Sequence, residues 1–197
     1  MTSALRLRAD VELLGALVAA SRGRVDCESL PTEARPEFVV AFSCITAGSA
    51  RYPQHRESRV VVHMALPERY PFVAPVATVR TPIFHPNVFP SGVICLGTRW
   101  IAAQGLDIFV QRLLRLVTFD PLLVSTVSPA NREAAIWYER ARRDHPGAFP
   151  TDRFAADEVV ERMLRPCPDC GRSLRLPRGR SGLVRCPSCG SQFQART

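Results

Sequence analysis

The first half of the chain shows two periodicities of hydrophobic residues, one typical of a helix and one typical of strands. Apolar residues spaced by three or four positions predict an amphipathic helix over residues 4–20. Those positions are Leu7, Val11, Leu14 and Val18. Strict alternation over residues 59–66, together with apolar residues at 38–44 and 76–79, predicts three strands.

Helical patterns return in the second half, after an irregular stretch rich in Pro, Gly and Asn over residues 81–105. Asp107 is expected to cap a helix with one apolar face. Ser128 and Pro129 are expected to open a second helix that ends near Arg142. Thr151 or Asp152 is expected to cap a third helix that runs to Leu164.

These elements predict an α+β domain over residues 1–164 and a small cysteine-rich appendage over residues 165–197. With 46% hydrophobic residues the larger part can bury a core. No apolar run approaches the roughly 18–20 residues that a membrane span needs, and the N-terminus lacks a signal-peptide pattern. We therefore expect a cytoplasmic protein without a membrane partner.

The irregular stretch contains a cysteine that follows a distinctive group of residues. His85-Pro86-Asn87 lies ten to eight residues before Cys95, and Gly92 lies three before it. A lone cysteine is most often a small buried hydrophobe, but a loop this long inside a compact domain is usually functional. The stretch is therefore a candidate active loop.

Together with Tyr70-Pro71-Phe72, the run over residues 84–96 resembles the ubiquitin-conjugating enzymes, and among them the SUMO-conjugating type most closely. The resemblance covers residues 4–164. It implies one N-terminal helix, a four-stranded antiparallel sheet and three later helices. It also implies an acyltransferase that accepts a ubiquitin-like protein from an activating enzyme as a thioester on Cys95 and passes it to an amine of a protein target.

The resemblance gives roles to three further residues. Asn87 corresponds to the residue credited with stabilising the oxyanion or with ordering the active loop, and the sequence leaves both roles open. His85 is expected to hold this loop by hydrogen bonds rather than to act as a base. Ser128 matches a position that is Ser or Asp near the incoming amine, while a helix N-cap is an equally good role.

The chain also departs from the family pattern. Phe89 replaces the tyrosine of the SUMO-conjugating type, and Ile101-Ala102-Ala103 follows Trp100 where Ser-Pro-Ala is common. The position matched by Val79 is often Phe. These departures argue against recognition by a RING-type ligase.

Four of the seven cysteines form two copies of a CPxCG motif. They are Cys167, Cys170, Cys186 and Cys189. Four thiolates suit a tetrahedral structural Zn²⁺ site with no open position, and the pattern resembles a zinc ribbon, with iron in a rubredoxin-like site as the alternative. So small a unit needs the metal to fold. Cys27 and Cys44 show no ligand spacing and are predicted to be packing residues.

The basic residues are distributed unevenly and are all of one kind. The net charge is +8, and from Arg165 onward seven arginines face a single acid, Asp169. All 26 basic residues are arginine. Codon usage in a GC-rich genome explains this composition, and a thioester enzyme that removes amines from its own surface explains it as well.

Three classes of function follow. The first is the conjugating enzyme, and the second is a non-catalytic module that binds a ubiquitin-like protein, although inactive family variants typically lose the cysteine. The third is a nucleic-acid-binding protein that uses the basic ribbon. The composition also suggests a bacterial origin, where such enzymes are encoded beside an activating enzyme, a ubiquitin-like protein and a JAB-type peptidase, in some cases for antiphage defence.

Overall fold

The computed structural model describes residues 3–97, 100–152, 162–177 and 181–196. The chain divides into two compact units, residues 1–153 and 154–197. The first unit begins with helix α1, Ser3–Ala20. Its inward side carries Leu7 and Leu14, which are buried as the helical spacing predicted.

A four-stranded antiparallel sheet follows, in the order β1-β2-β3-β4. Its strands are β1 (Val25–Cys27), β2 (Glu37–Ala47), β3 (Arg56–Ala65) and β4 (Val76–Val79). The alternation in β3 is confirmed, because Val60, Val62 and Met64 are fully buried. Strand β1 is three residues long, too short for an alternating pattern to predict it.

Two helices complete the described part of the first unit: α2 (Leu106–Val117) and α3 (Arg132–Asp144). The predicted caps of both were wrong. Helix α2 begins after Gly105, and Asp107 lies inside its first turn. Helix α3 is capped by Asn131, whose Oδ1 accepts a hydrogen bond from the Ala134 N–H at 3.0 Å, so Ser128 is not its N-cap.

An aromatic cluster closes the far end of this unit. Phe119, Tyr138, Trp137 and Phe149 pack together against Tyr52, with ring centroids 4.9–6.0 Å apart. The burial of large aromatic rings against the end of β2 anchors α3 beside the sheet. This anchoring matters for the site because the chain just before α3 returns to the HPN motif.

The second unit contains two antiparallel hairpins. They are formed by β5 (Arg162–Pro166) with β6 (Ser173–Pro177), and by β7 (Ser181–Arg185) with β8 (Gln192–Arg196). Leu174 lies buried in a small core with two of the cysteines.

The last predicted helix was wrong at its C-terminal end. Residues 162–164 belong to β5, which pairs with β6 and delivers the chain to Cys167. The predicted domain boundary after Leu164 therefore falls inside a strand, and residues 153–161 of the predicted helix lie outside the described residues. Thr151 and Asp152, its predicted caps, bond to the main chain of Ile45 in β2.

Candidate active site and metal centre

Strand β4 organises the active loop by main-chain pairing. The Val79 N–H donates to the Gly92 carbonyl at 2.8 Å, and the Ile94 N–H donates to the Ala77 carbonyl at 2.9 Å. Gly92 has a φ of +87°, and a Cβ there would lie 2.7 Å from the Val79 carbonyl oxygen. Only glycine fits so close an approach at this backbone angle. The chain that leads into Cys95 is thus fixed to the sheet edge.

Asn87 joins Cys95 to a segment far away in sequence. The Cys95 N–H donates to the Asn87 carbonyl at 2.7 Å, and the Asn87 Nδ2 donates back to the Cys95 carbonyl at 2.9 Å. Nδ2 also donates to the Leu123 carbonyl at 3.2 Å, and Oδ1 accepts from the Ser125 N–H at 2.9 Å. The side chain is 1% exposed, so both amide hydrogens and the amide oxygen are engaged inside the protein.

His85 is a buried neutral residue. Its Nδ1 accepts a hydrogen bond from the Asn87 N–H at 3.0 Å, and its ring packs on Phe119 with centroids 4.2 Å apart. Complete burial lowers the pKa of His85 to about 3. The main chain of Leu116 acts in the opposite direction and raises this pKa, but His85 Nε2 has no hydrogen-bond partner among the described residues. The described contacts of the ring are thus with Phe119 and with the main chain of Asn87 in the loop.

Ser128 is exposed and lies three residues after Ser125. Its carbonyl accepts from the Ser125 hydroxyl at 3.1 Å, which connects it to the segment that Asn87 holds. The Asn131 N–H donates to the Pro86 carbonyl at 2.9 Å, so the residue that caps α3 also ties down the HPN motif. Sequence reasoning missed Ser125 and Asn131. The only signal was an asparagine three residues before Ala134, at N-cap spacing.

The three cysteines of the first unit occupy different environments. Cys44 is buried and Cys27 is half-buried, and desolvation raises the pKa of Cys44 to about 12 and that of Cys27 to about 11. Both therefore stay as thiols at neutral pH, and thiols are poor nucleophiles. Cys95 is half-buried and opens onto a groove of about 430 Å³ between the active loop and α2.

Helix α1 and the Tyr-Pro motif hold the far wall of this groove. Arg6 donates to Asp10 at 2.6 Å, to the Ala102 carbonyl at 2.7 Å, and to the Gln104 carbonyl. The Tyr70 hydroxyl donates to Asp10 at 2.5 Å, although Asp10 is only 1% exposed. A buried charge of this kind is tolerated only when it is paired and hydrogen-bonded.

Trp100 completes the wall. Its Nε1 donates to the Pro71 carbonyl at 2.6 Å, and its ring packs against Tyr70 and Phe109. The Tyr70-Pro71 motif therefore positions Trp100. Thr98 and Arg99, which precede Trp100, lie outside the described residues.

The four cysteines of the second unit converge. Their Sγ atoms all lie within 4.8 Å of one another, and two pairs, Cys167 with Cys189 and Cys170 with Cys186, are 3.7 Å apart. A tetrahedron with metal–sulfur bonds of about 2.3 Å has edges of about 3.8 Å. The four thiolates thus fit one tetrahedral metal ion such as Zn²⁺.

The two knuckles that present these sulfurs have the same geometry. The Cys167 N–H donates to Arg172 O at 2.9 Å and the Cys186 N–H donates to Ser191 O at 2.8 Å. Gly171 and Gly190 have φ values of +70° and +76°, which close each turn. Four sulfur ligands would fill a tetrahedral coordination shell, so the cluster could hold a metal ion without an open position.

The family model and the known proteins that match this chain carry the same description. A family described as "Ubiquitin-conjugating enzyme" matches residues 36–148. "Ubiquitin-conjugating enzyme E2 2" of Neurospora crassa is 30% identical over 114 residues, which cover 56% of this chain and 72% of that protein.

Two further relatives match smaller shares of their own length. "Ubiquitin-conjugating enzyme E2" of African swine fever virus is 30% identical, covering 53% of this chain and 51% of the viral protein. "Ubiquitin-conjugating enzyme E2 T" of Mus musculus is 43% identical over 82 residues, covering 42% and 40%. Among the described residues, no helix has the length and hydrophobicity to cross a membrane. The chain belongs to the ubiquitin-conjugating enzyme family, whose enzymes act through a thioester on a catalytic cysteine.

Proposed function

We propose that Cys95 accepts a ubiquitin-like protein as a thioester from an activating enzyme and transfers it to an amine of a protein target. The observation that carries this proposal is the position of Cys95. Its main chain is fixed on both sides by Asn87, and its side chain opens onto the groove. The other two cysteines of the first unit are held as thiols by burial, because their pKa values are raised.

The chemistry requires no redox partner. The Cys95 thiolate attacks the carbonyl carbon of the incoming thioester, and the activating enzyme's thiolate leaves. A target amine then attacks the new thioester, the carbon–sulfur bond breaks, and an amide forms as Cys95 leaves as a thiolate and the nitrogen releases a proton to the solvent. A thiol that is exposed enough to attack and still able to leave suits both steps.

The test is charging in solution. The protein is mixed with ATP and with the activating enzyme and ubiquitin-like protein of the same organism. We expect a band shift that a reductant reverses, with the acyl group mapped by mass spectrometry to the peptide containing Cys95. Transfer to an added target should then give a product that the reductant leaves intact. An acyl group mapped to another residue would contradict the assignment.

We further propose that the second unit is a zinc ribbon that contributes to target choice and not to acyl transfer. We expect one Zn²⁺ per chain by elemental analysis. Cys186→Ser should lose the metal and unfold the ribbon, because binding worth roughly 10–16 kcal/mol supplies the folding free energy of such units. The same variant, and a chain cut after Arg153, should charge normally.

A folded truncation that cannot be charged would make the ribbon part of the catalytic unit. Iron in place of zinc would show as red colour and absorption in the visible range. Nucleic-acid binding by the ribbon's arginines is a separate outcome, which a binding assay over a salt series would reveal as a steep loss of affinity.

The absence of lysine supports a third proposal, that the surface avoids attack on its own thioester. Arg99 is the basic residue nearest to Cys95 in sequence, but it lies outside the described residues. Gln104 lines the groove and is therefore the better position at which to introduce an amine. Gln104→Lys should produce a slow intramolecular isopeptide, because proximity greatly raises the amine's effective concentration.

The control for that experiment is Arg51→Lys on the exposed turn between β2 and β3. It should remain unmodified, as should the unchanged protein apart from its N-terminal amine. Equal isopeptide formation by the two lysine variants would leave codon usage as the explanation for the absence of lysine.

The arginine-only composition and the active-loop motif are the support for finer proposals on the type of enzyme, its source and its role. We propose that the enzyme is of the SUMO-conjugating type, from a bacterium that encodes it beside its activating enzyme and ubiquitin-like protein, and that it works in the cytoplasm in defence against phage. Inspection of the neighbouring genes tests the context. Restoring the hydroxyl with Phe89→Tyr should speed transfer to lysine if the SUMO-conjugating comparison holds.

A further inference from the structure

The groove beside Cys95 is apolar apart from very few groups. Its lining includes Pro75, Ile94, Leu96, Trp100, Ile108 and Phe109. Apart from Cys95 itself, the polar residues among the described lining are Gln104 and Arg112. None of the described lining residues is acidic. Among the described lining residues Arg112 is therefore the one cation, and it shares the groove with Cys95 and with mostly apolar side chains.

Among the described residues Arg112 has no ion-pair partner, unlike Arg115, which lies three residues further along α2. Arg115 holds Asp120 at 2.6–2.7 Å, whereas within the described ranges no carboxylate lies within ion-pairing distance of Arg112. Burial, and then the positive charge of Arg115, lower the pKa of Arg112, in line with the lack of a carboxylate partner among the described residues. A half-buried guanidinium with unused donors is suited to bind a carboxylate from outside the chain.

The occupant of the groove is defined by the chemistry of Cys95. Under the proposed function, on which this inference rests, an acyl chain is bonded to Sγ, and the groove that Cys95 lines offers a path for its preceding residues. We infer that Arg112 determines specificity by pairing with an acidic side chain in the C-terminal segment of the ubiquitin-like protein. Apolar walls would hold the extended segment, and the charge pair would set its register.

The inference can be tested with synthetic probes, without the natural partner. The probes are Gly/Ala hexapeptide thioesters with a neutral N-acetylcysteamine leaving group. Each probe carries one Glu, Gln or Arg, and the position of that residue is varied from the second to the fifth before the thioester. Cys95 Sγ attacks the carbonyl carbon, the bond to N-acetylcysteamine breaks, and the released thiolate takes the proton lost by the cysteine. The initial rate of acylation at Cys95 is measured by mass spectrometry.

With the unchanged protein, we expect Glu at one position to load roughly tenfold faster than Gln at that position, the scale of a hydrogen bond to a charged group. Arg112→Gln should remove that preference and leave the rate of the Gln peptide unaltered. Arg112→Glu should prefer Arg at the same position, a reversal that misfolding cannot produce. Arg115→Gln, on the same helix but outside the groove, should behave like the unchanged protein.

Equal rates for Glu, Gln and Arg peptides at every position would overturn the inference and leave the proposed function standing. So would a preference for Glu that survives in Arg112→Gln. Failure of every peptide, and also of the activating enzyme, to acylate Cys95 would overturn the proposed function and this inference together. A melting curve of each variant accompanies the rates.

Discussion

Cys95→Ala should abolish thioester formation completely, and Cys95→Ser should replace the reductant-sensitive adduct with a stable ester. An alanine has no nucleophile, whereas a serine hydroxyl forms an oxyester that thiols and reductants do not cleave. The structure leaves no substitute nearby, since Cys27 and Cys44 are held as thiols at neutral pH by their raised pKa values. The measurement is a non-reducing gel of the charging reaction, repeated with reductant.

The matched controls are the other two cysteines of the first unit. Cys27→Ser and Cys44→Ala should charge like the unchanged protein, although Cys44→Ala leaves a small cavity beneath the sheet and should melt slightly earlier. A reductant-sensitive adduct that persists in Cys95→Ala would move the active site to another residue.

Much of the first unit could be predicted because its signals are local. Alternating residues in β3 and helical spacing in α1 reflect faces that must be buried, and the structure confirms both. Strand β1 gives no such signal because three residues cannot show a period. It is held by pairing with residues 40–42 of β2, a tertiary contact.

The wrong prediction at Ser128 has a specific physical cause. Ser128 and Pro129 are good residues for a helix start, but the chain just before them is occupied elsewhere. Leu123 and Ser125 bond to Asn87 through their main chains, so this segment stays irregular and the helix begins at Arg132. A contact across 36–38 residues overrode a local preference.

At the site, too, the sequence motif identified residues but did not predict their contacts. The motif identified Cys95, Asn87 and His85 as candidates, because these residue types at this spacing are specific. It did not indicate which carbonyls Asn87 would bind, nor that Arg112 would line the groove. Both depend on how α2 and the segment before α3 pack around the loop, and no local pattern encodes such packing.

Asn87→Ala should destabilise the protein and slow charging and discharge together. In this structure both amide hydrogens are donated to the Cys95 and Leu123 carbonyls, and the amide oxygen accepts from Ser125. Loss of three buried hydrogen bonds should cost about 2–4 kcal/mol of the free energy of unfolding. A domain of this size would then melt roughly 5–15 °C lower. The loop that presents Cys95 would loosen, so both steps that use the cysteine would suffer.

The measurement pairs a melting curve with single-turnover discharge of preloaded enzyme to free lysine. Ser128→Ala is the matched control, because its side chain is exposed and does not cap α3, so it should melt normally. A selective loss of discharge by Ser128→Ala would support a role in positioning the amine. For Asn87→Ala, unchanged melting and charging with discharge slowed roughly 100- to 1000-fold, the effect of losing one oxyanion donor, would contradict the bracing role. It would require the amide to release a carbonyl and turn toward the reacting oxygen during catalysis.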